Sequence, residues 1–348
     1  MRTLCSFPIL ASLLVSSALL AAPPDSAAKP ASMPAASPTR TSSCNLSGLA
    51  HPDLDLPLLN GSGQTVARFG GAPINLTLSA FPEDASGRMY LATSGSGRLR
   101  VSGYVHAKSF PLFLKNDVPV AGSYIFLTRG SRVEFAGSSG DKIQVTLKTS
   151  SPLAEIYTVN LPCDGVTLSP NERTDLPSAP IAGQARGYYM SSATAPLFDA
   201  PGTRATPVTT IHLASDARGI LFFGDKREGD FIHVLYRHDV RIDGWMSVKD
   251  LALLPKGELV DQRSHKPADS QASKLTVSSD AKLYRASREL ALYGKADPKQ
   301  EPIGLVPAGT ELYVLDVVVG WANVLPKQLD IVPLNEKRFW VRASELGI

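Results

Sequence analysis

A short cassette recurs along this chain, so whatever it folds into must be folded more than once. Val319-Gly-Trp-Ala-Asn-Val324, followed by Phe339-Trp-Val-Arg-Ala-Ser-Glu-Leu346, has a counterpart in Gly229-Asp-Phe-Ile-His-Val234 and Gly244-Trp-Met-Ser-Val-Lys-Asp-Leu251. A third copy reads Gly140-Asp-Lys-Ile-Gln-Val145, then Tyr157-Thr-Val159 where the others have Trp245-Met and Trp340-Val, with Cys163 aligned to Leu251 and Leu346. His233 thereby falls in line with Gln144 and Asn323, which makes it a solvent-side strand residue rather than a metal ligand.

The segments around the cassettes read as strands. Ile74, Leu76 and Leu78 alternate with Asn75, Thr77 and Ser79, giving one buried and one wet face. Twenty-seven glycines and 27 prolines in 348 residues, set between short Val, Ile, Leu and aromatic runs, supply the turns. The expected fold class is all-β. A net charge of +3 with basic and acidic residues interspersed lacks the dense positive face that a nucleic-acid backbone requires, so no nucleic-acid partner is expected. The six histidines (51, 106, 212, 233, 238 and 265) are dispersed, with no metal-ligand spacing. Neither metal nor cofactor is expected.

Residues 1–21 carry an early arginine, an apolar run and small residues before Pro23, the pattern of a secretory signal peptide; a retained anchor is the alternative. Residues 22–43, rich in Ala, Pro and Ser, read as a disordered tether. A secreted or periplasmic location follows, with no stable membrane span after cleavage. Removal of the signal leaves two thiols, Cys44 and Cys163, either disulfide-bonded or separately buried.

The echoes divide the mature chain into units at 103–165, 184–255 and 273–348, after a shorter β unit at 45–102. Polar, Pro-containing stretches, roughly 166–184 and 255–273, read as linkers.

A Leu-Tyr or Leu-Phe strand, an apolar-Gly-Thr-x-Leu step, a Gly-x-Trp-x-x-Val strand and a closing Gly-Trp-Val strand together resemble the bacterial SH3-like (SH3b-type) domain. The likeness is fullest in 273–348, through Leu283-Tyr284, Leu305, Gly309-Thr310, Gly320-Trp321, Val324 and Trp340-Val341. It implies tandem small barrels of five strands, partly open, and a non-catalytic role in holding cell-wall peptides, glycans or protein partners. The 103–165 unit lacks both tryptophans, and the excursion from Leu325 to Arg338 is long for a hairpin of a small barrel.

The candidate ligand-binding residues are the large aromatics of the last two units, Tyr284, Trp321, Trp340, Trp245 and Phe198, each either a core contact or a groove wall. Tyr293 and Lys295 would shape specificity from a loop. The expectation is an exported binding protein, not an enzyme, whose partner is a cell-wall component or envelope protein. A structural spacer in an envelope assembly and a cell-wall hydrolase using Cys163 are the alternatives.

Overall fold

The computed structural model describes residues 42–122, 124–150, 152–170, 186–202, 204–254, 281–334 and 338–348. The expected signal peptide, most of the tether and most of both linkers lie outside these residues. The all-β class holds: a single one-turn α-helix, α1 (Ala343–Leu346), accompanies strands in four sheets among the described residues. No described helix is long and apolar enough to cross a membrane. None of the sheets closes into a barrel, and two draw strands from distant parts of the chain.

One local pattern occurs four times. A strand pairs with the first strand of a three-strand antiparallel meander, and a single helical turn follows. The leading strands are β1 (Leu46–Ala50), β7 (Leu112–Leu114), β14 (Arg186–Met190) and β21 (Lys282–Arg285). The meanders are β4–β5–β6 (Ile74–Ser79, Arg88–Thr93, Arg100–His106), β10–β11–β12 (Arg132–Ser139, Lys142–Lys148, Ile156–Pro162), β17–β18–β19 (Ile220–Glu228, Phe231–Arg237, Val240–Ser247) and β24–β25–β27 (Glu311–Val318, Trp321–Pro326, Phe339–Arg342). The turns begin at Ala107, Cys163, Val248 and Ala343. Three residues into each, Phe110, Val166 and Leu251 are buried and Leu346 packs on the core, so the turn drives an apolar plug under its meander.

The meanders obey the period-two rule. Ile143, Val145 and Leu147 are buried on β11, as are Ile232, Val234 and Tyr236 on β18, between residues that face outward. In the last three meanders the first strand carries one extra residue, at Ala136, Asp225 and Leu315. Such bulges sharpen the local twist and curl a small sheet over its core. The residues met just past each bulge are Gln144, His233 and Asn323, the three positions that the sequence aligns.

The register also corrects that alignment at the third strand. Gln144 pairs with Asn160, His233 with Trp245 and Asn323 with Trp340, so Asn160 rather than Tyr157 occupies the tryptophan position. Cys163 accordingly matches Val248 and Ala343, and Val166 takes the place of Leu251 and Leu346. The first meander supplies a fourth pair, Tyr90 opposite Tyr104. Its third strand, β6, runs through residue 103, where a unit boundary was expected.

Between the leading strand and the meander each pattern holds a hairpin: β2–β3 (Pro57–Leu59, Thr65–Phe69), β8–β9 (Val118–Ala121, Ile125–Leu127), β15–β16 (Thr194–Phe198, Pro207–His212) and β22–β23 (Leu290–Leu292, Gly304–Val306). Two of them cross to another meander. The β8–β9 hairpin adds to β19, with Leu127, Phe126 and Ile125 opposite Val240, Arg241 and Ile242. The β22–β23 hairpin adds to β6, with Gly304 opposite Val101 and Leu305 opposite Arg100.

The long excursion after Leu325 has the same explanation: β26 (Ile331–Pro333) pairs with Phe69, Arg68 and Ala67 of β3. Gly70 is required beside it, because a Cβ there would stand 1.7 Å from the carbonyl oxygen of Leu329. The Cys44–Cys163 disulfide spans 119 residues and ties the first leading strand to the second turn, with 5.5 Å between Cα atoms.

Candidate functional site

Among the described residues, a cleft with aromatic and polar walls lies where two strands share one edge of β6. Toward its end β6 is paired by Leu59, opposite Tyr104; toward its start it is paired by Gly304 and Leu305. Ser102 and Gly103 lie between these contacts and floor a cleft of about 600 Å³. The ladder is interrupted because β2 and β23 come from opposite ends of the chain and neither extends far enough to meet the other. Gly103 is required there, since a Cβ would sit 2.5 Å from the carbonyl oxygen of Leu59.

Tyr90 and Tyr104 wall the cleft, both half-buried, with ring centroids 5.6 Å apart in an edge-on arrangement. The Arg88 guanidinium carbon lies 5.2 Å from the Tyr104 centroid and fixes that ring's outer face. Asn60, Gln300, Glu301 and Ile303 also line the cleft. Gln300 Oε1 is buried without a hydrogen-bond partner, an acceptor whose demand the fold leaves open. Beyond Gln300 and Ile303 a second hollow of about 260 Å³ is lined by Lys295, Arg338 and Phe339. The two hollows share Asn60, Val66, Gln300 and Ile303 in their walls. A hollow of about 630 Å³ around the disulfide has comparable size but no aromatic wall.

Of the residues singled out in the sequence, Trp245 and Trp340 occupy the positions equivalent to Tyr104 in other meanders. Trp245 and Phe198 pair across β19 and β15, and Phe198 packs edge-on against Phe231 at 5.4 Å. Trp245 lies 5.1 Å from the His233 ring, and Lys226 Nζ lies 5.6 Å from the Trp245 centroid.

His233 is held on both sides, its Nδ1 2.7 Å from Asp225 Oδ1 and its Nε2 3.0 Å from Asp243 Oδ1. These bonds, the one to Asp243 foremost, raise the imidazole pKa above its ordinary 6.5, outweighing the effect of burial. The bulge at Asp225 delivers that carboxylate to the ring.

In the last meander Trp321 is buried at 9% exposure, edge-on to Tyr293 at 5.1 Å, with the Arg342 guanidinium 5.5 Å from its centroid. Trp340 is half-buried, its backbone bridged to Tyr293. Tyr284 is half-buried against the core. These three do not line the cleft, whereas Lys295 lines the adjoining hollow.

Tyr90, Tyr104 and Gln300 were missed in the sequence. The signal was available for the two tyrosines, because each stands at its meander's counterpart of His233 and Trp245. Nothing local could have brought Gln300 to them. Cys163 is disulfide-bonded and so is not a free thiolate. No cluster of three or more His, Cys, Asp or Glu side chains suited to a metal occurs among the described residues. Comparison with known proteins finds no matching family model, curated protein or solved structure.

Proposed function

We propose that this is an exported, non-catalytic binding protein built of tandem SH3-like modules, and that its ligand lies along the cleft floored by Ser102 and Gly103. Support for the modules comes from the fourfold recurrence of leading strand, hairpin, meander and helical turn. A secreted or periplasmic location is supported by the disulfide, which persists in oxidising compartments.

The observation that carries the binding reading is the edge-on pair of half-buried tyrosines walling one notch together with the polar side chains of Asn60 and Gln300. Aromatic faces next to a few placed polar groups suit a ligand with apolar faces and hydroxyl or amide edges. Cell-wall glycan and its attached peptide have those properties, as does an extended segment of an envelope protein.

The test is co-sedimentation of the purified mature protein with isolated peptidoglycan sacculi and, separately, affinity capture from an envelope extract. Binding is expected in one arm and is expected to weaken at least tenfold in Tyr104→Ser and Gln300→Ala. Folded protein that stays unbound in both arms, or binding indifferent to both substitutions, refutes the assignment.

The two interdigitated junctions favour a second reading, a stiff spacer in an envelope assembly. Shared sheets resist bending more than linker-joined domains do.

A further inference from the structure

The third strands of the first and third meanders accept added strands at two places. One is filled by the meander's own hairpin, at Leu59 opposite Tyr104 and at Phe198 opposite Trp245. The other lies three to five residues earlier and is filled by another pattern's hairpin, at Arg100 and Val101 of β6 and at Val240, Arg241 and Ile242 of β19. Both donated strands run antiparallel to the strand that receives them.

In the second meander, β12 holds the corresponding position, and among the described residues neither place is filled. Its own hairpin, β8–β9, has gone to β19. Aligned through Asn160, the second acceptor place falls at residues 155–157. Among the described residues β12 pairs only with β11, and no other backbone hydrogen bond reaches residues 156–162.

The empty edge also lacks the features that normally protect one. Its seven residues pair with β11 in unbroken register, so no bulge twists the edge away. Ile156-Tyr-Thr-Val-Asn-Leu-Pro162 carries no charge, and its only proline is the last residue. Ile156, at the acceptor place, is 66% exposed. Two other sheet edges are guarded: β21 is short and carries Lys282 and Arg285, and β16 begins at Pro207.

We propose that β12 pairs antiparallel with β12 of a second copy of this chain, giving a two-fold symmetric dimer centred on Val159. In that register Tyr157 meets Leu161, Thr158 meets Asn160 and Ile156 meets Pro162. Two-fold self-pairing sets every charge near the axis against its own image, and a strand with none escapes that repulsion. The outward row of Gln144, Thr146, Thr158 and Asn160, already cross-linked by bonds of 3.1 Å (Thr146–Thr158) and 3.3 Å (Gln144–Asn160), would continue across the axis.

Sedimentation equilibrium of the purified mature protein tests this, together with Thr158→Lys, which sets two ammonium groups near the axis, and Thr146→Lys, which places the same charge one strand inward. The expected result is a concentration-dependent dimer for the wild type and Thr146→Lys, and at least a tenfold weaker dimer for Thr158→Lys. The amides of Ile156, Thr158 and Asn160, which face away from β11, should gain protection from exchange as concentration rises. A monomer at every concentration, which an edge reserved for another protein's strand would give, overturns the proposal. So does a dimer that Thr158→Lys leaves intact.

Discussion

The carboxylate of Asp330, 1% exposed, lies 3.3 Å from Nη1 of Arg98, a residue 232 positions earlier in the chain. The same Nη1 donates to the carbonyl of Pro73 at 2.6 Å, and the Asp330 carbonyl accepts from Gly70 N–H at 2.9 Å. Despite its partner, Asp330 has a pKa raised by burial, so desolvation is the larger influence on it. This pair locks the terminal excursion onto the first sheet.

Arg98→Ala should destabilise the protein by about 3 kcal/mol, because it leaves a buried carboxylate without its counter-charge. Urea denaturation measures the loss, and a change below about 0.5 kcal/mol would show that the pair contributes little. Gly70→Ala should be comparably harmful through its collision with Leu329.

Reduction of Cys44–Cys163 should cost roughly 4–5 kcal/mol in the chain-entropy account, given the length of the loop it closes. Denaturant midpoints with and without reductant, and of a Cys44→Ser/Cys163→Ser double variant, check this. Coincident midpoints would mean that strand pairing alone holds the first two meanders together.

The pKa of His233 is raised in the folded protein, so the stability it confers is fully present below the ordinary imidazole value of 6.5 and is lost as pH climbs through the raised one. Between about pH 5 and about pH 8 the wild type should therefore lose more stability than His233→Gln. Trp245 emission, 5.1 Å from the ring, offers a local readout of the same titration. Parallel pH profiles for the two proteins would refute the clamp.

Asp239 is held at about 2, chiefly by its hydrogen bond to His238, with a further bond from Ser150 that reaches it from the second meander. A depressed carboxylate confers stability above its unfolded pKa and loses it as pH falls through the folded one. Ser150→Ala should flatten the acid limb of the stability profile between about pH 4 and about pH 2. An unchanged limb would place the acid sensitivity elsewhere.

Val319 adopts φ +47° at the tip of the β24–β25 hairpin and is 94% exposed, followed by Gly320 at φ +80°. The corresponding tips use Gly140 and Gly229. Two left-handed residues in a two-residue turn favour Asn-Gly, and a β-branched residue is costly there. Val319→Asn should stabilise by about 1 kcal/mol, measured as a higher melting temperature. A lower one would mean that the valine makes contacts which outweigh its strain.

Much of the architecture was legible before any coordinates. The alternation in Ile74, Leu76 and Leu78 and the Gly-rich turns located strands, and the recurrence aligned Gln144, His233 and Asn323 at positions the register bears out. The slip at Tyr157 arose because matching by aromatic character overrode spacing from the following turn, which picks Asn160.

The chain's own pattern determined which residues form strands and which side of each faces a core, since a side chain's alternation is written locally. Tertiary structure alone decided which strand lies beside which. Backbone ladders carry almost no residue code, so nothing in Gly304 or Ile331 announces a partner at Val101 or Phe69. The cleft exists only because β2 and β23 stop short of each other along β6.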